Sequence, residues 1–202
     1  MIDKLKDILG PKCTAINVNG EISEFINVPS TRLKFCEAVN CSFNIPVRLN
    51  DSNLGCPGAR RSAGFDSNDL KLSETISGNN DIPFQFIVNA LGNISKLNNI
   101  RHINLGLTDY MERMIDPDLY IAYLKPEYIT AIMHRLAQKD IQLSIPPYCL
   151  LSICGNVFAN CYANQTVTIS FGCPESRKHG GVDKDEVIIG FPATIAKNLL
   201  IE

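Results

Sequence analysis

A cysteine-bearing stretch of this chain occurs twice, and any fold must accommodate both copies. Residues 40–65 and 160–182 share the pattern N-C-x-x-N-x-x-V-x-(L/I), followed by G-C-P-x-x-R-(R/K)-x-x-G, with three extra residues in the first copy. A further cysteine precedes each copy, Cys36 in one and Cys154 in the other. Six of the eight cysteines thus fall into equivalent pairs: Cys36 with Cys154, Cys41 with Cys161, and Cys56 with Cys173. Scattered core cysteines do not repeat in this way. The pattern predicts two similar half-sites facing each other across a pseudo-twofold axis.

The chain has 202 residues, enough for one substantial domain. We expect a single domain spanning 1–202, built of two intimately packed halves at approximately 1–80 and 81–202. Hydrophobic content of 45% with 20% charge is that of a soluble globular protein. A net charge of −2 gives no overall basic footprint for nucleic acid. No run approaches the ~20 apolar residues that span a bilayer, so no membrane partner is expected. The opening M-I-D-K-L-K-D-I-L-G lacks the apolar core and cleavage site of a signal peptide, which points to the cytoplasm. In a reducing compartment, paired thiols read as metal-binding or redox-active rather than as a disulfide framework. The sequons at Asn93 and Asn164 are then chance.

Along the chain, residues 2–9 read as a short helix closed by Gly10-Pro11, and Cys13 to Val18 as a strand ending at Asn19-Gly20. Thr31 to Cys41 reads as a helix and Val47 to Leu49 as a short strand. The polar residues 66–81 read as a surface loop and as the boundary between halves. Ile82 to Leu91 reads as helix, Ile100 to Leu107 and Asp118 to Leu124 as strands, and Pro126 to Gln138 as an amphipathic helix. Ile141 to Ile145 is a strand, Cys149 to Cys161 a helix, and Val167 to Phe171 a strand. Val187 to Phe191 is a last strand, after which Pro192 starts a helix. Alternating strands and helices give an α/β or α+β fold class.

Each half would present one helix-borne and one turn-borne thiol, separated by 20 residues in the first and 19 in the second. Proline after Cys56 and Cys173 removes a backbone donor and holds the cysteine extended. Gly55 and Gly172 before them allow close backbone approach. Thiolates on such turns suit an iron–sulfur cluster, whose irons take cysteine ligands. Cys36, Cys56, Cys154 and Cys173 would complete a four-cysteine set, with Cys41 and Cys161 joining it or packing behind. Zinc also takes four thiolates, but usually on C-x₂₋₄-C knuckles, and the chain has no C-x-x-C. The plain alternative is that the duplicated cysteines are relics of core packing. A thiol–disulfide switch is a further reading, weakened by the missing C-x-x-C.

Arg60-Arg61 and Arg177-Lys178 follow the two Gly-Cys-Pro turns, and Arg60 and Arg177 are equivalent in the repeat. They would stabilise thiolates, dock an anionic ligand, or simply lie in solvated basic turns. His179 lies near Cys173, but its repeat counterpart is Ser62, which argues against a ligand. His102 and His134 read as structural or surface residues, and Asp116 with Asp118 as a turn. No phosphate-binding glycine motif is present, and no catalytic residue can be named.

The segments R-L-K-F-C-E-A-V (32–39), L-G-C-P-G-A-R-R-S-A-G-F (54–65) and D-P-D-L-Y-I-A-Y (116–123) resemble the prokaryotic domain-of-unknown-function family 169. So do G-C-P-E-S-R (172–177) and V-I-I-G-F-P (187–192). The resemblance runs over nearly the whole chain. It implies cysteines at the positions of Cys36, Cys56, Cys154 and Cys173, and leaves Cys41 and Cys161 outside the pattern. The family is frequent in methanogens and other anaerobes, a setting that suits an oxygen-sensitive cluster. The expectation is therefore a cytoplasmic iron–sulfur protein for electron transfer or for assembling or activating a metalloenzyme partner. The alternative is a module that binds an anionic small molecule, with its cysteines structural or zinc-binding.

Overall fold

Runs of β-branched, aromatic and aliphatic residues pair into a single seven-stranded sheet. A computed structural model of the chain describes residues 8–22, 26–66 and 68–200. The strands are β1 (Cys13–Val18), β2 (Val47–Asn50), β3 (His102–Leu107), β4 (Leu119–Leu124), β5 (Leu143–Ser144), β6 (Val167–Ser170) and β7 (Val187–Pro192). Their order across the sheet is β2-β3-β1-β4-β7-β6-β5. Every pairing is antiparallel except β5 with β6.

Both central strands are buried at every position, because each face of the sheet meets its own core. Ile16, Val18, Leu119, Ile121 and Tyr123 point to one side. Cys13, Ala15, Tyr120, Ala122 and Leu124 point to the other. The first core is covered by α1 (Phe35–Ser42), α2 (Pro57–Ser62), α3 (Asp69–Asn80) and α4 (Phe84–Gly92). It is completed by a π-helix, Ser152–Ala159, that runs on into a short α-helix, Asn160–Asn164. The second core is covered by the helices Thr108–Met114, Pro126–Gln138 and Ala193–Leu200. A further short helix, Pro174–His179, packs against α1 on the first side. The class is mixed α/β.

Several sequence expectations change here. The helix expected at 2–9 lies outside the described residues except for its last two positions. The helix expected from Thr31 begins only at Phe35, because Leu33 is drawn into a bridge with Leu54. Most of the loop expected at 66–81 is α3, over 69–80. Asn68 caps it by accepting the Lys71 N–H at 2.9 Å, Leu72 is buried in the first core, and Arg61 pairs with Asp69 at 3.0 Å. Residues 102–107, beyond the divide expected near 80, are hydrogen-bonded between β1 and β2. Three short helices, at 57–62, 108–114 and 174–179, were not expected at all, since a single turn or two carries no readable period.

The helix expected over Cys149–Cys161 is π-helical in its first part. The Asn156 N–H reaches back to Leu151 O at 3.0 Å, and the Asn156 side-chain amide donates to Tyr148 O and Leu150 O at 2.9 and 2.8 Å. These bonds draw the incoming loop over the wider turn. Phe158 on this helix stacks on Phe35 of α1 with ring centroids 4.9 Å apart, and each ring is 1% exposed. That contact joins the two cysteine-bearing helices. Phe158→Ala should lower unfolding free energy by about 3–5 kcal/mol, measured by urea denaturation, since it empties a ring-sized volume at this junction.

Candidate functional site

The four thiols of the repeat are positioned by local rules. Cys56 is the N-cap of α2, with Pro57 at the first helical position, where no amide donor is needed. Its turn is pinned to the segment entering α1 by Leu33 N–H to Asn53 O and Gly55 N–H to Leu33 O, both at 2.8 Å. Cys173 is likewise the N-cap of the 174–179 helix, again with Pro first. Its N–H donates to Ser176 Oγ at 2.8 Å, and that hydroxyl donates to Cys173 O at 2.8 Å. Cys36 lies in the first turn of α1, and Cys154 in the first turn of the π-helix.

All four line one cavity of about 550 Å³. Each helix-borne thiol meets the turn carried by the other segment. Cys154 lies near enough to Cys56 for each thiol to shift the other's titration. Cys36 Sγ donates to Glu175 O at 3.7 Å, two residues beyond Cys173. Where α2 and the π-helix pack together stands Leu151, a non-glycine residue at φ 47°, a backbone state that costs of order 1–3 kcal/mol. Its side chain fills the space that a Cβ on Gly58 would enter, at 2.8 Å, and its Cβ lies 2.8 Å from where a Cβ on Gly155 would stand. Glycine at both positions lets α2 and the π-helix pack closely around Leu151.

The electrostatics of the thiols are unequal. The hydrogen bond from Cys154 pulls the Cys56 thiol down to about 7 against the cost of burial, with help from the Ala59 and Gly58 amides and the Lys34 charge. The Cys56 sulfur accepts the Ala59 N–H at 3.4 Å. Cys154 is pushed well up, first by that same hydrogen bond and then by burial. Burial, reinforced by charge on Cys56 and Cys173, pushes Cys36 up to about 12.

A polar clamp closes one side of the cavity. Lys34 pairs with Glu175, and its Nζ lies 3.0 Å from His179 Nε2. His179 Nδ1 lies 3.2 Å from Glu37 Oε1. The Lys34 hydrogen bond holds Glu175 below the usual carboxylate range, and Glu175 holds Lys34 above its own. The clamp fastens α1 to the 174–179 helix, and so Cys36 to the Cys173 turn. Opposite it, Leu72, Thr75, Ile76 and Asn79 of α3 form a wall, and the exposed Cys149 also lines the cavity. The buried Ser152 Oγ, on another lining residue, has no hydrogen-bond partner.

The model of the DUF169 family, described as uncharacterised ArCR, matches residues 14–201. The chain belongs to this family. Searches of the curated proteins and of the solved structures returned no match. Among the described residues of this DUF169 protein, no helix is long and apolar enough to cross a membrane.

The remaining candidate residues sit elsewhere. Cys161 is 0% exposed within the first core and Cys41 packs half-buried against it, and neither lines the cavity. Arg60 pairs with Asp51 at 2.6 Å and donates to the carbonyls of Asp51 and Leu54. Arg177 donates to the carbonyls of Phe171, Asp183 and Glu186. Both guanidiniums fasten their own loops, and neither lines the cavity. His102 Nε2 lies 2.9 Å from Gly20 O, His134 is exposed, and Asp118 Oδ2 accepts the Val18 N–H at 2.7 Å. Sequence reasoning missed Lys34, Glu175, Ser152 and the α3 wall. Only the nearness of Lys34 to Cys36 and of Glu175 to Cys173 offered a signal.

Alkylation of Cys56 by iodoacetamide should rise through a midpoint near pH 7, because its thiolate persists above that value and is protonated below it. Cys36 should stay unreactive over the same range, held protonated up to about 12. Cys154→Ala removes the S–H donor and should move the Cys56 midpoint upward. Peptide-resolved mass spectrometry across a pH series checks all three, and an unmoved midpoint would discard the thiol–thiol hydrogen bond as its cause.

Proposed function

We propose that this DUF169 protein binds an iron–sulfur cluster at the four-thiol cavity, in the service of electron transfer or of assembling or activating a metalloenzyme. The observation that carries the reading is the meeting of Cys36 and Cys56 with Cys154 and Cys173 on one cavity, although 98 residues separate Cys56 from Cys154. Cysteine thiolates are the ordinary ligands of such clusters, and hydrogen bonds to sulfur tune them. Backbone amides at Cys56 and the unpartnered Ser152 hydroxyl are donors of the kind required. Four cysteine thiols on one cavity are the type of donor that such a group takes. A cluster bound there would supply one-electron transfer, with Lys34 as the cation beside its anionic sulfurs.

Zinc is less well supported. One zinc ion draws four sulfurs to about 2.3 Å from a common centre. Among the described residues, no group of three or more His, Cys, Asp or Glu side chains is arranged to hold a single ion. A cluster spreads its cysteines over several irons and so asks for a wider set. The anion-binding alternative has lost its main support, since Arg60 and Arg177 are engaged with their own loops.

We also read the two cysteine segments as copies of one unit. In the sheet, β2-β3-β1 is followed by β4-β7-β6, so that matching β1 with β4, β3 with β7 and β2 with β6 relates the groups by a twofold between β1 and β4. In each group a helix, an edge-side strand, a Gly-Cys-Pro turn and a six-residue helix follow in order. The reading places the protein in a reducing, cytoplasmic setting, with a redox or metalloenzyme partner.

Anaerobic reconstitution with iron and sulfide should give bound iron, acid-labile sulfide and visible charge-transfer absorption. Single Cys→Ser changes at Cys36, Cys56, Cys154 and Cys173 should each cut iron content several-fold, while Cys13→Ser leaves it near the wild-type level. Protein that takes up no iron and sulfide, or only stoichiometric zinc by metal analysis, would sink the cluster reading.

A further inference from the structure

We infer that the uncapped start of the π-helix, together with Ser152, binds the carboxylate of a small apolar acid in the cavity. The first amides of any helix have no acceptor within it. Here the residue before them is Leu151, which offers no side-chain oxygen and makes no cap. Its side chain turns instead towards α2, 2.8 Å from where a Cβ on Gly58 would stand. Leu150, Leu151, Ser152, Ile153 and Cys154 all line the cavity, so this helix end opens onto it. Ser152 holds the first helical position, is 0% exposed, and its Oγ has no hydrogen-bond partner. A buried hydroxyl left unpaired is costly, and a ligand oxygen relieves that cost.

The surroundings select the ligand. Helix-end amides and a hydroxyl favour an acceptor that carries negative charge. A carboxylate has two acceptor oxygens and one charge, and can take the hydroxyl on one oxygen and an amide on the other. Among the described lining residues the only lysine or arginine is Lys34, and Glu175 already holds it. That leaves no cation for the second charge of a phosphate. Leu72 and Ile76 of α3 line the same cavity and offer apolar side chains to the body of the ligand. At about 550 Å³ the cavity is within the size range of small-molecule sites. The ligand class is therefore an aliphatic or aromatic monocarboxylate. None of the four repeat thiols binds it, so the inference does not rest on the cluster reading. A cluster that claimed the Ser152 hydroxyl would compete with the acid.

The test uses the full chain, treated with an iron chelator and kept reduced and anaerobic, with leucine and isoleucine methyl groups labelled for NMR. Phenylacetate, 3-methylbutanoate and hexanoate are titrated singly. At least one should bind and shift the methyl signals of Leu72, Ile76 or Leu150. The uncharged amide of that acid should bind about tenfold more weakly, because it loses the charge-assisted hydrogen bonds. Ser152→Ala should lower affinity about tenfold or more. Its thermal midpoint without ligand should be unchanged or raised, since the hydroxyl removed has no partner. No binding by any of the three acids at millimolar concentration, an amide as tight as its acid, or shifts confined to other methyl groups would overturn the proposal. So would a Ser152→Ala variant that keeps wild-type affinity, or one that melts well below wild type, because the hydroxyl would then serve the protein alone. The wild-type comparison of acid with amide decides even if the variant does not fold. A chain that never takes up iron can still bind the acid, and one that does take up iron can fail to.

Discussion

The antiparallel pairing of β1 with β4 is the contact on which the rest of the molecule depends. Thr14 stands opposite Ile121 and Ala15 opposite Tyr120, and neither strand has an exposed residue. Through it, β2-β3-β1 and β4-β7-β6 become one sheet with one shared core on each face. Residues far apart in sequence can meet on a face only if the strands beneath them are continuous. The cavity stands on that continuity. Without the central pair, the segment carrying Cys36 and Cys56 and the segment carrying Cys154 and Cys173 would have no common floor.

On that floor the thiols are cross-connected. The helix of one segment meets the Gly-Cys-Pro turn of the other, so neither segment holds a complete site. The Leu151 backbone at φ 47°, lodged between Gly58 and Gly155, sets how near α2 and the π-helix come. The Lys34, Glu37, Glu175 and His179 clamp does the corresponding work for α1 and the 174–179 helix. One side of the cavity is thus held by packing at a strained backbone and the other by charge. The thiols are unequal as well, since burial holds Cys36 protonated while the neighbouring Cys154 thiol and nearby backbone amides pull Cys56 down. π-Helical turns are found disproportionately at functional sites, and here the turn carries Cys154.

Much of the fold was legible in the chain because it rests on local rules. Alternation and β-branching marked Cys13–Val18 and the run ending at Leu124, and Pro126 with an amphipathic period marked the helix that it opens. The segment 66–81 was misread because α3 has polar residues on most of its surface, and its burial at Leu72 depends on a core supplied from elsewhere. The π-helix was misread because its wider turn is drawn out by the Asn156 amide and by packing, neither of which leaves a period. Arg60 and Arg177 looked available for a ligand because sequence does not reveal which backbone carbonyls will lack a partner and recruit a nearby guanidinium.

The sequence by itself determined which residue types recur and in what order. It set the repeated cysteines, the prolines that open their short helices, the central strands and the α/β class. These follow from bonds and periods within a few residues of one another. Only the tertiary structure decided which thiol meets which, that Cys161 and Cys41 pack away from the cavity, and that Lys34, Glu175 and the α3 wall enclose it. Those outcomes depend on strand order and on the approach of helices far apart in the chain, and chain-local chemistry carries no record of either.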